Sequence, residues 1–414
     1  MLHGLGDAPL ELLREAPGFR RLFLATLASS VGTYLAVVAL TVDVYNKSGG
    51  DANWVSALLI ADFLPVIAIG LVFGPLLDRL PRRAILVVAD LARTAVFCVL
   101  PFATSPAQIV GLALLAGVAT SLFRPAVFAG LPNLVGDTHL PFANGLLQSA
   151  ENLTWAVGAA AGGVLVKVAG TDAAYWLNAA TYVISALLVL GIKRSLEERE
   201  PGAEAAGGYF LALREGVRVV GSSRALVTIV VAWSVATVGQ AIGNVSEIFL
   251  ARDVFMAGTL GFGILVSTAA IGLFAGSLAG GVLIERFGIR TPYVVSILLM
   301  ALGFSVAAGA PAFWLAVAIV VVSGFGNGAA VVCNAVLVQR AVPDRLRGRA
   351  FTLVMSVGYA CFGLGMILAG PLTNAYGARA AWAISGGLCA LAAACAAALL
   401  APPEALTPQP APEG

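Results

Sequence analysis

Charged residues are scarce in this chain. Only 11% of its 414 residues are Asp, Glu, Lys or Arg, whereas 59% are hydrophobic. A soluble domain carries roughly 25% charged residues, because a folded surface that faces water needs polar cover. The composition therefore excludes a water-soluble fold and predicts a protein embedded in lipid. The formal net charge of +2 also argues against a nucleic-acid partner.

Histidine, cysteine and lysine are few, and their positions exclude several kinds of site. The two histidines and five cysteines show neither metal-ligand spacing nor a disulfide framework. None of the three lysines follows a glycine, so the sequence contains no phosphate-binding G-x-x-x-x-G-K loop. No nucleophile motif is present either. The sequence therefore predicts no metal, no cofactor, no ATP hydrolysis and no enzymatic activity.

Long apolar runs recur along the whole chain. A bilayer requires about 20 apolar residues per helical crossing. Helix is the expected structure because backbone groups in lipid must bond to one another. Twelve runs qualify, at roughly 21–44, 54–77, 84–101, 107–131, 141–168, 173–192, 225–250, 259–284, 292–309, 312–339, 350–375 and 380–400. The predicted fold is an all-α membrane protein with twelve transmembrane helices.

The positions of lysine and arginine predict the orientation. The termini and the loops on their side hold eighteen of these residues, and the opposite loops hold four. Because cytoplasmic loops carry the excess of positive charge, both termini are expected in the cytoplasm. The predicted location is the plasma (inner) membrane.

An internal repeat becomes visible when the chain is shifted by 207 residues. The shift places the segment 74–83 on the segment 281–290, and glycine, acid and arginine positions agree. These are Gly74, Asp78, Arg79 and Arg83, matched by Gly281, Glu285, Arg286 and Arg290. The match predicts a parallel repeat of two pseudo-symmetric six-helix bundles. The expected boundaries are 1–192 and 224–400 for the bundles, 193–223 for a cytoplasmic linker and 401–414 for a disordered tail.

The motif Gly74-x-x-x-Asp78-Arg79-x-x-Arg82-Arg83 resembles the signature between the second and third helices of the major facilitator superfamily. Proline at position 81 is similar to a variant found in its enterobactin-exporter and macrolide-efflux branch. The segments 19–23, 123–126 and 342–349 resemble that branch as well. The resemblance implies a monomeric secondary transporter that works by alternating access and exports a small molecule in exchange for protons. Thr33 stands where the branch often has an acid.

The two matched loops are candidates for a conformational latch. An acid such as Asp78 or Glu285 at a helix end can face a neighbouring helix N-terminus and a cluster of arginines. A contact of this kind holds one conformation and is released in the other. The first loop offers Gly74, Asp78, Arg79, Arg82 and Arg83, and the second offers Gly281, Glu285, Arg286 and Arg290. The simpler alternative is that these arginines only anchor the cytoplasmic face.

Ionisable groups inside a bilayer cost several kcal/mol unless they are paired or wetted, so each is a functional candidate. Asp62 in the second span and Glu151 in the fifth are the candidates for proton coupling. Asp90 and Arg93 lie three residues apart on the third span, which favours a structural ion pair. Asp43, at the end of the first span, is expected to be solvated.

Two spans carry polar residues at helical spacing. The fifth span has Asn144, Gln148, Glu151 and Trp155, and the seventh has Gln240, Asn244 and Glu247. A polar stripe on a spanning helix predicts a cavity inside the protein, although hydrogen bonds between helices are the alternative. Asn327 in the tenth span is a further candidate for the cavity wall.

Arg124, near the inner end of the fourth span, has three open interpretations. Its guanidinium group can bind an anionic group of the substrate, pair with a carboxylate such as Glu151, or extend to the membrane surface. The leading functional hypothesis is proton-coupled efflux of a small amphipathic molecule. The alternatives are a uniporter or proton-coupled importer, a membrane-embedded enzyme and a membrane sensor.

Overall fold

The computed structural model is all-helical over the residues that it describes, which are 8–72, 80–136, 139–192, 196, 220–221, 223–342 and 344–400. These residues contain no strand. A short 3-10 turn covers Leu100–Phe102, and a π-helical turn covers Leu250–Val254. The α-helices are α1 (Ala8–Glu15), α2 (Pro17–Lys47), α3 (Ala52–Val72), α4 (Arg82–Val99), α5 (Pro106–Gly130), α6 (Pro132–Val135), α7 (Leu140–Leu190), α8 (Arg224–Phe249), α9 (Gly258–Phe287), α10 (Arg290–Gly309), α11 (Phe313–Ala341) and α12 (Asp344–Leu399).

Nine helical stretches of the described residues are long and apolar enough to cross a membrane. They range from the 20 residues of Arg290–Gly309 to the 49 residues of Phe142–Leu190. A shorter apolar stretch, Ala52–Pro65, lies within α3. Large apolar side chains such as Val168 and Leu278 are 80% and 66% exposed. Such a surface is stable only when lipid covers it.

The helices α7 and α12 are each too long for one crossing. They contain 51 and 56 residues, whereas one crossing needs about 20. Each is interrupted at one glycine, Gly170 with φ 81° and Gly377 with φ 81°. Because glycine adopts positive φ at little cost, one residue makes each turn. The two connections predicted at 169–172 and 376–379 contain these glycines, and helix extends closer to each glycine than the prediction had it.

Several helix starts also differ from the prediction. The first span was expected to begin at 21, but α2 begins at Pro17, and the separate helix α1 precedes it. Proline is well suited to the first turn of a helix, where its missing N–H is not needed. The eleventh span was expected from 350, but α12 begins at Asp344. Hydropathy locates the apolar part of a helix and not its polar first turn.

The chain folds into two compact units. Unit 1 comprises Met1–Glu204 and Glu247–Ser267, and unit 2 comprises Ala205–Ser246 and Thr268–Gly414. The core of unit 1 includes Phe19, Leu22, Leu86, Leu131 and Ile192, and the core of unit 2 includes Leu226, Ile229, Tyr293, Ile297 and Cys333. The helices α8 and α9 contribute to both units, because the segment Glu247–Ser267 belongs to unit 1. We call this segment the crossover segment.

The 207-residue repeat extends to hydrogen bonds inside the two units. In unit 1, Arg83 donates to the backbone carbonyl of Leu190. In unit 2, Arg290 donates to the backbone carbonyl of Ala397 over 2.9 Å. Donor and acceptor both differ by 207 positions. Each arginine therefore binds the carboxyl end of the last long helix of its unit.

An aromatic contact follows the same shift. Phe97 packs edge-on against Tyr175 with ring centroids 6.1 Å apart, and Phe304 packs edge-on against Trp382 at 5.2 Å. Each ring of the second pair lies 207 residues after its counterpart. The two units therefore share this packing between corresponding helices.

A close helix crossing is repeated as well. A Cβ atom added at Gly117 would lie 2.9 Å from the carbonyl oxygen of Ala61, and one added at Gly324 would overlap the carbonyl oxygen of Ala269. Glycine is needed at both places because the neighbouring backbone occupies the space of a side chain.

Candidate functional site

A cavity of about 110 Å³ lies within unit 1, among α2, α4, α5 and α7. Three charged side chains line it, from Arg93, Arg124 and Glu151. Its hydroxyl groups come from Thr26, Ser29, Ser30, Thr33, Tyr34 and Thr120. Charged groups are costly inside a bilayer, so their concentration in one cavity marks it as the candidate site.

An ion pair crosses this cavity from α5 to α7. Nη2 of Arg124 lies 2.9 Å from Oε2 of Glu151, and the two side chains are 58% and 16% exposed. Nε2 of Gln148, one turn before Glu151, lies 3.5 Å from the same oxygen. Of the three interpretations of Arg124, the structure shows the pairing with Glu151. Because Arg124 is so exposed, the pair contributes little to stability and is open to exchange with another charged group.

An aromatic pair lies beside the ion pair. Tyr34 on α2 stacks on Trp155 on α7, with ring centroids 6.1 Å apart. Tyr34 lines the cavity together with Arg124 and Glu151. Asp62 on α3 is exposed and has no hydrogen bond or ion pair to a described residue. Glu151 therefore shares the cavity with this aromatic pair, whereas Asp62 is not among the residues that line it.

A buried ion pair forms one wall of the cavity. Arg93 pairs with Asp90 one turn earlier on α4, and the two side chains are 2% and 0% exposed. The guanidinium carbon lies 4.4 Å from the ring centroid of Phe123 and 4.3 Å from that of Tyr182. Nη1 is 3.4 Å from the hydroxyl oxygen of Ser29. Arg93 thus connects four helices through contacts that together offset the cost of burying its charge.

The polar stripe of α7 is only partly directed at the cavity. Gln148 is exposed and near Glu151, whereas the side-chain amide of Asn144 donates to the carbonyl of Leu140 in its own helix over 2.8 Å. Trp155 contributes its stack with Tyr34.

The stripe of α8 is divided between the units. Gln240 is half-buried and Asn244 is exposed, and both belong to unit 2. Glu247 is buried, belongs to unit 1, and its Oε1 has no hydrogen-bond partner among the described residues. Asn327 on α11 in unit 2 is half-buried.

The first predicted latch loop lies partly outside the described residues, which do not include Gly74, Asp78 and Arg79. Nη1 of Arg82 donates to the backbone carbonyls of Ala129 and Leu196, at 2.8 and 2.9 Å. The first of these carbonyls is at the carboxyl end of α5, where a positive charge is favourable.

The second predicted latch loop is described in full. Gly281, Glu285 and Arg286 are exposed at the end of α9, and Arg290 bonds to Ala397. The described contacts of Arg82, Arg83 and Arg290 are all to backbone carbonyls within their own unit. Latch and anchor both remain predictions for these loops.

Asp43 is not solvated, so that expectation was wrong. Its side chain is buried near the end of α2, where Oδ2 accepts hydrogen bonds from Nζ of Lys47 and from the hydroxyl of Tyr175, both at 2.9 Å. Lys47 also donates to the carbonyl of Ala103 over 2.7 Å. Tyr175 is distant in sequence, so helical spacing alone does not reveal this pairing.

The hydroxyl-bearing face of α2 was missed from the sequence. Thr33 shares a hydrogen bond of 2.9 Å with the hydroxyl of Tyr182 on α7, and Tyr34 stacks on Trp155. A signal was present, because hydroxyl residues recur at positions 26, 29, 30, 33 and 34 at the spacing of one helix face. It was overlooked because only carboxyl, amide and guanidinium groups were considered.

The sequence profile of a family described as Transmembrane secretion effector matches residues 8–408 of the chain. The chain belongs to this family of the major facilitator superfamily. It is therefore a multi-pass membrane protein and a secondary transporter, in a family of transporters and not of enzymes.

Relatives and solved structures agree with this assignment. The multidrug efflux pump Tap of Mycolicibacterium fortuitum is 26% identical over 371 residues, which cover 87% of this transporter and 90% of Tap. Macrolide efflux protein A of Streptococcus pyogenes is 23% identical and covers 85% and 89% of the two chains. A crystal structure of a mutant nucleoside transporter NupG has a TM-score of 0.79 at 16% identity, over 93% of this chain and 100% of that one. A bacterial homologue of the lysosomal transporter Spinster has a TM-score of 0.74 at 13% identity, over 95% and 98%. These structures share the fold.

Proposed function

We propose that this transporter exports small amphipathic molecules by alternating access, in exchange for protons. The names of two relatives, a multidrug efflux pump and a macrolide efflux protein, support export. The observation that carries the proposal is the cavity of unit 1, where the Arg124–Glu151 pair lies beside the Tyr34–Trp155 stack. Exchangeable charges beside an apolar ring face suit a molecule with a polar head and an apolar body.

The proposed architecture has twelve transmembrane helices in two pseudo-symmetric six-helix bundles. Nine candidate spans support it, if the two that contain Gly170 and Gly377 cross twice and α3 adds one crossing. The two bundles are residues 1–192 and 224–400. The linker 193–223 joins them, and the tail 401–414 follows the second bundle. The distribution of lysine and arginine supports cytoplasmic termini in the plasma membrane. We expect the monomer to be the transporting species.

Proton coupling requires a carboxyl group whose protonation changes the site. A proton on Glu151 removes the charge that holds Arg124, which then becomes available to a substrate or to another carboxylate. Asp62 is suited to this second role, because it is an exposed carboxylate of unit 1 without a cationic partner among the described residues. We therefore propose Glu151 and Asp62 as the proton-coupling pair, with Arg124 exchanging between substrate and carboxylate.

The remaining polar residues and the two loops have proposed roles as well. The stripe residues Gln148 and Trp155 would complete the substrate wall in unit 1, and Gln240, Asn244 and Asn327 would do so in unit 2. The loops around Asp78 and Glu285 would stabilise one conformation of the cycle.

The function is tested by flux measurements with the purified transporter in liposomes. A radiolabelled macrolide and a fluorescent amphipathic cation serve as substrates. An acidic lumen should drive their accumulation, because protons leave as substrate enters. The variant Arg124→Val should lose most of this flux, because it removes the cation that pairs with Glu151 in the cavity. Valine is the residue at the equivalent position of the second copy, Val331.

Lys167→Gln is the matched control, since Lys167 is an exposed cation on α7 that does not line the cavity. It should transport like the unchanged protein. Flux that does not depend on the pH gradient would instead indicate a uniporter. Movement of the substrate out of the acidic lumen together with protons would indicate a proton-coupled importer. Full flux in Arg124→Val would show that the Arg124–Glu151 pair in this cavity is not needed for transport.

A further inference from the structure

We propose that a groove at the start of α2 binds the headgroup of a membrane phospholipid that carries both a phosphate and an ammonium group, as phosphatidylethanolamine does. The groove has a volume of about 640 Å³ and lies wholly within unit 1. Its walls come from α1, the first turns of α2, the short helix α6 and the residue before α7. It shares no lining residue with the cavity that contains Arg124 and Glu151, so it is a second and separate site.

Apolar contacts hold the walls of the groove in place. Leu12 of α1 and Leu134 of α6 are only 6% and 3% exposed, and both belong to the core of unit 1. A Cβ atom added at Gly18 would lie 2.9 Å from Cδ2 of Leu134, so the start of α2 touches α6 directly. Because its walls are packed against the core, the groove is formed before a ligand arrives.

Arg21 lines this groove with a guanidinium group that has no partner. The side chain is half-buried, and it forms no hydrogen bond or ion pair with a described residue. Every other described arginine that is at least half-buried has a hydrogen-bond partner; these are Arg82, Arg93, Arg252 and Arg290. The donors of Arg21 are therefore available to a ligand.

The position of Arg21 shows that helix capping does not use it. A Cβ atom added at Gly191 would lie 3.5 Å from its Nε, so the side chain lies beside the carboxyl end of α7. At that same helix end, Arg83 donates to the carbonyl of Leu190. Arg21 reaches the helix end without donating to it, which leaves its planar fork of N–H groups for another acceptor. Such a fork binds phosphate through two parallel hydrogen bonds.

Glu15 places the opposite charge on the same groove. Its carboxylate is exposed at the end of α1 and has no partner among the described residues. Glu15 and Arg21 line one groove without forming an ion pair with each other. His139, which is exposed, is the third ionisable residue of the wall. Two opposite charges that do not pair fit a ligand that carries both, with its phosphate on Arg21 and its ammonium group on Glu15.

The groove lies at the depth where lipid headgroups are found. Arg21 is near the start of the spanning helix α2, and Leu24, one turn later, is a 41% exposed apolar side chain that suits lipid. Arginine at such a boundary extends toward the headgroups. Ala16, Pro17 and Val135 also line the groove and are partly exposed, so the glycerol and first methylene groups of a lipid would cover them. A soluble phosphate would leave these apolar groups in water.

The second copy of the repeat does not carry these charges. Arg21 and His139 correspond to Thr228 and Leu346. Thr228 is fully buried, and its hydroxyl donates to the carbonyl of Arg224 in its own helix over 2.8 Å. The packing that the two copies share therefore does not require a cation at this position, which favours a ligand as the reason for Arg21.

Native mass spectrometry of the full-length transporter tests this site without a transport substrate. The protein in a neutral detergent is titrated with phosphatidylethanolamine or with phosphatidylcholine of the same acyl chains. The first lipid should bind more tightly when it is phosphatidylethanolamine, because a quaternary ammonium group cannot donate a hydrogen bond to Glu15. Arg21→Gln should weaken the first binding step about tenfold for both lipids, since charge-assisted hydrogen bonds to the phosphate are lost. Arg20→Gln is the matched control, because Arg20 is exposed and does not line the groove.

Glu15→Gln tests the second half of the site. It should abolish the preference for phosphatidylethanolamine and leave the binding of phosphatidylcholine unchanged. Because Glu15 is exposed, this variant should fold normally, and it keeps the test decisive if Arg21→Gln does not purify. Equal lipid binding by Arg21→Gln and Arg20→Gln would overturn the proposal, and so would a preference that survives Glu15→Gln. Displacement of the first lipid by an equal concentration of inorganic phosphate would assign the groove to a soluble anion and reject the lipid.

Discussion

The two copies of the repeat share their helix contacts but differ in their polar interior. Arg83 and Arg290 bind equivalent carbonyl groups, and Gly117 and Gly324 permit equivalent crossings. The charged residues have no such counterparts: Asp90, Arg93, Arg124 and Glu151 of the first copy correspond to Ile297, Met300, Val331 and Gly358 of the second. The shared contacts therefore serve the fold, and the residues found in one copy only are the better candidates for function.

The largest effect on stability is expected when one member of the buried pair is changed to its counterpart. Arg93→Met leaves Asp90 buried without its cationic partner, which should lower the free energy of unfolding by about 3–5 kcal/mol. The double change Asp90→Ile with Arg93→Met reproduces the interior of the second copy and should restore most of this loss. Unfolding in detergent, followed by circular dichroism, measures both. If the double variant were as unstable as the single one, the ion pair would stabilise the protein by itself, and the loss in the single variant would not be due to an uncompensated charge.

A smaller effect is expected at the repeated crossing, where the two glycines should not be equivalent. Gly324→Ala should cost about 1–3 kcal/mol, because its Cβ overlaps the backbone of Ala269. Gly117→Ala should cost less, since its Cβ would lie 2.9 Å from the Ala61 oxygen and the helices can separate slightly. Gly111→Ala, on the same helix as Gly117, meets nothing within 4 Å and serves as the control. Equal costs at 117 and 324 would contradict this ranking of the two crossings.

The smallest effect is expected for the arginines that bind helix ends. Arg83→Gln and Arg290→Gln should each lower the free energy of unfolding by about 1 kcal/mol, because a cation near the carboxyl end of a helix contributes that amount. Their effects should add, since the residues lie in different units. The exposed Arg286 provides a control that should not change stability when it is replaced by Gln. Strong coupling in the double variant would show that these arginines act together and not within their own units.

Much of the fold could be predicted from the sequence because lipid imposes one solution on long apolar runs. Helix positions followed from hydropathy, and the repeat followed from a ten-residue match. The breaks predicted at 169–172 and 376–379 contain Gly170 and Gly377, but hydropathy falls there as it does in an ordinary loop. Only their backbone angles show that a single residue makes the turn.

Less of the site could be predicted, because its contacts join distant helices. The spacing of Asp90 and Arg93 indicated their pairing, but not the rings of Phe123 and Tyr182 that cover the guanidinium group. Arg124 was identified as a candidate, yet its partner remained open until α5 and α7 were placed side by side. Helical spacing in a sequence shows which residues share one face of a helix. It does not show which neighbouring helix that face contacts.

The corners at Gly170 and Gly377 have a practical consequence for anyone who wishes to attach a reporter to this protein. A tag inserted at either glycine would need a new left-handed residue and would push apart two helices that are joined by a single peptide unit. The turn at Gly49 and Gly50, which connects two separate helices and where a Cβ at Gly49 meets nothing within 4 Å, offers a safer insertion point for an epitope or a split fluorophore.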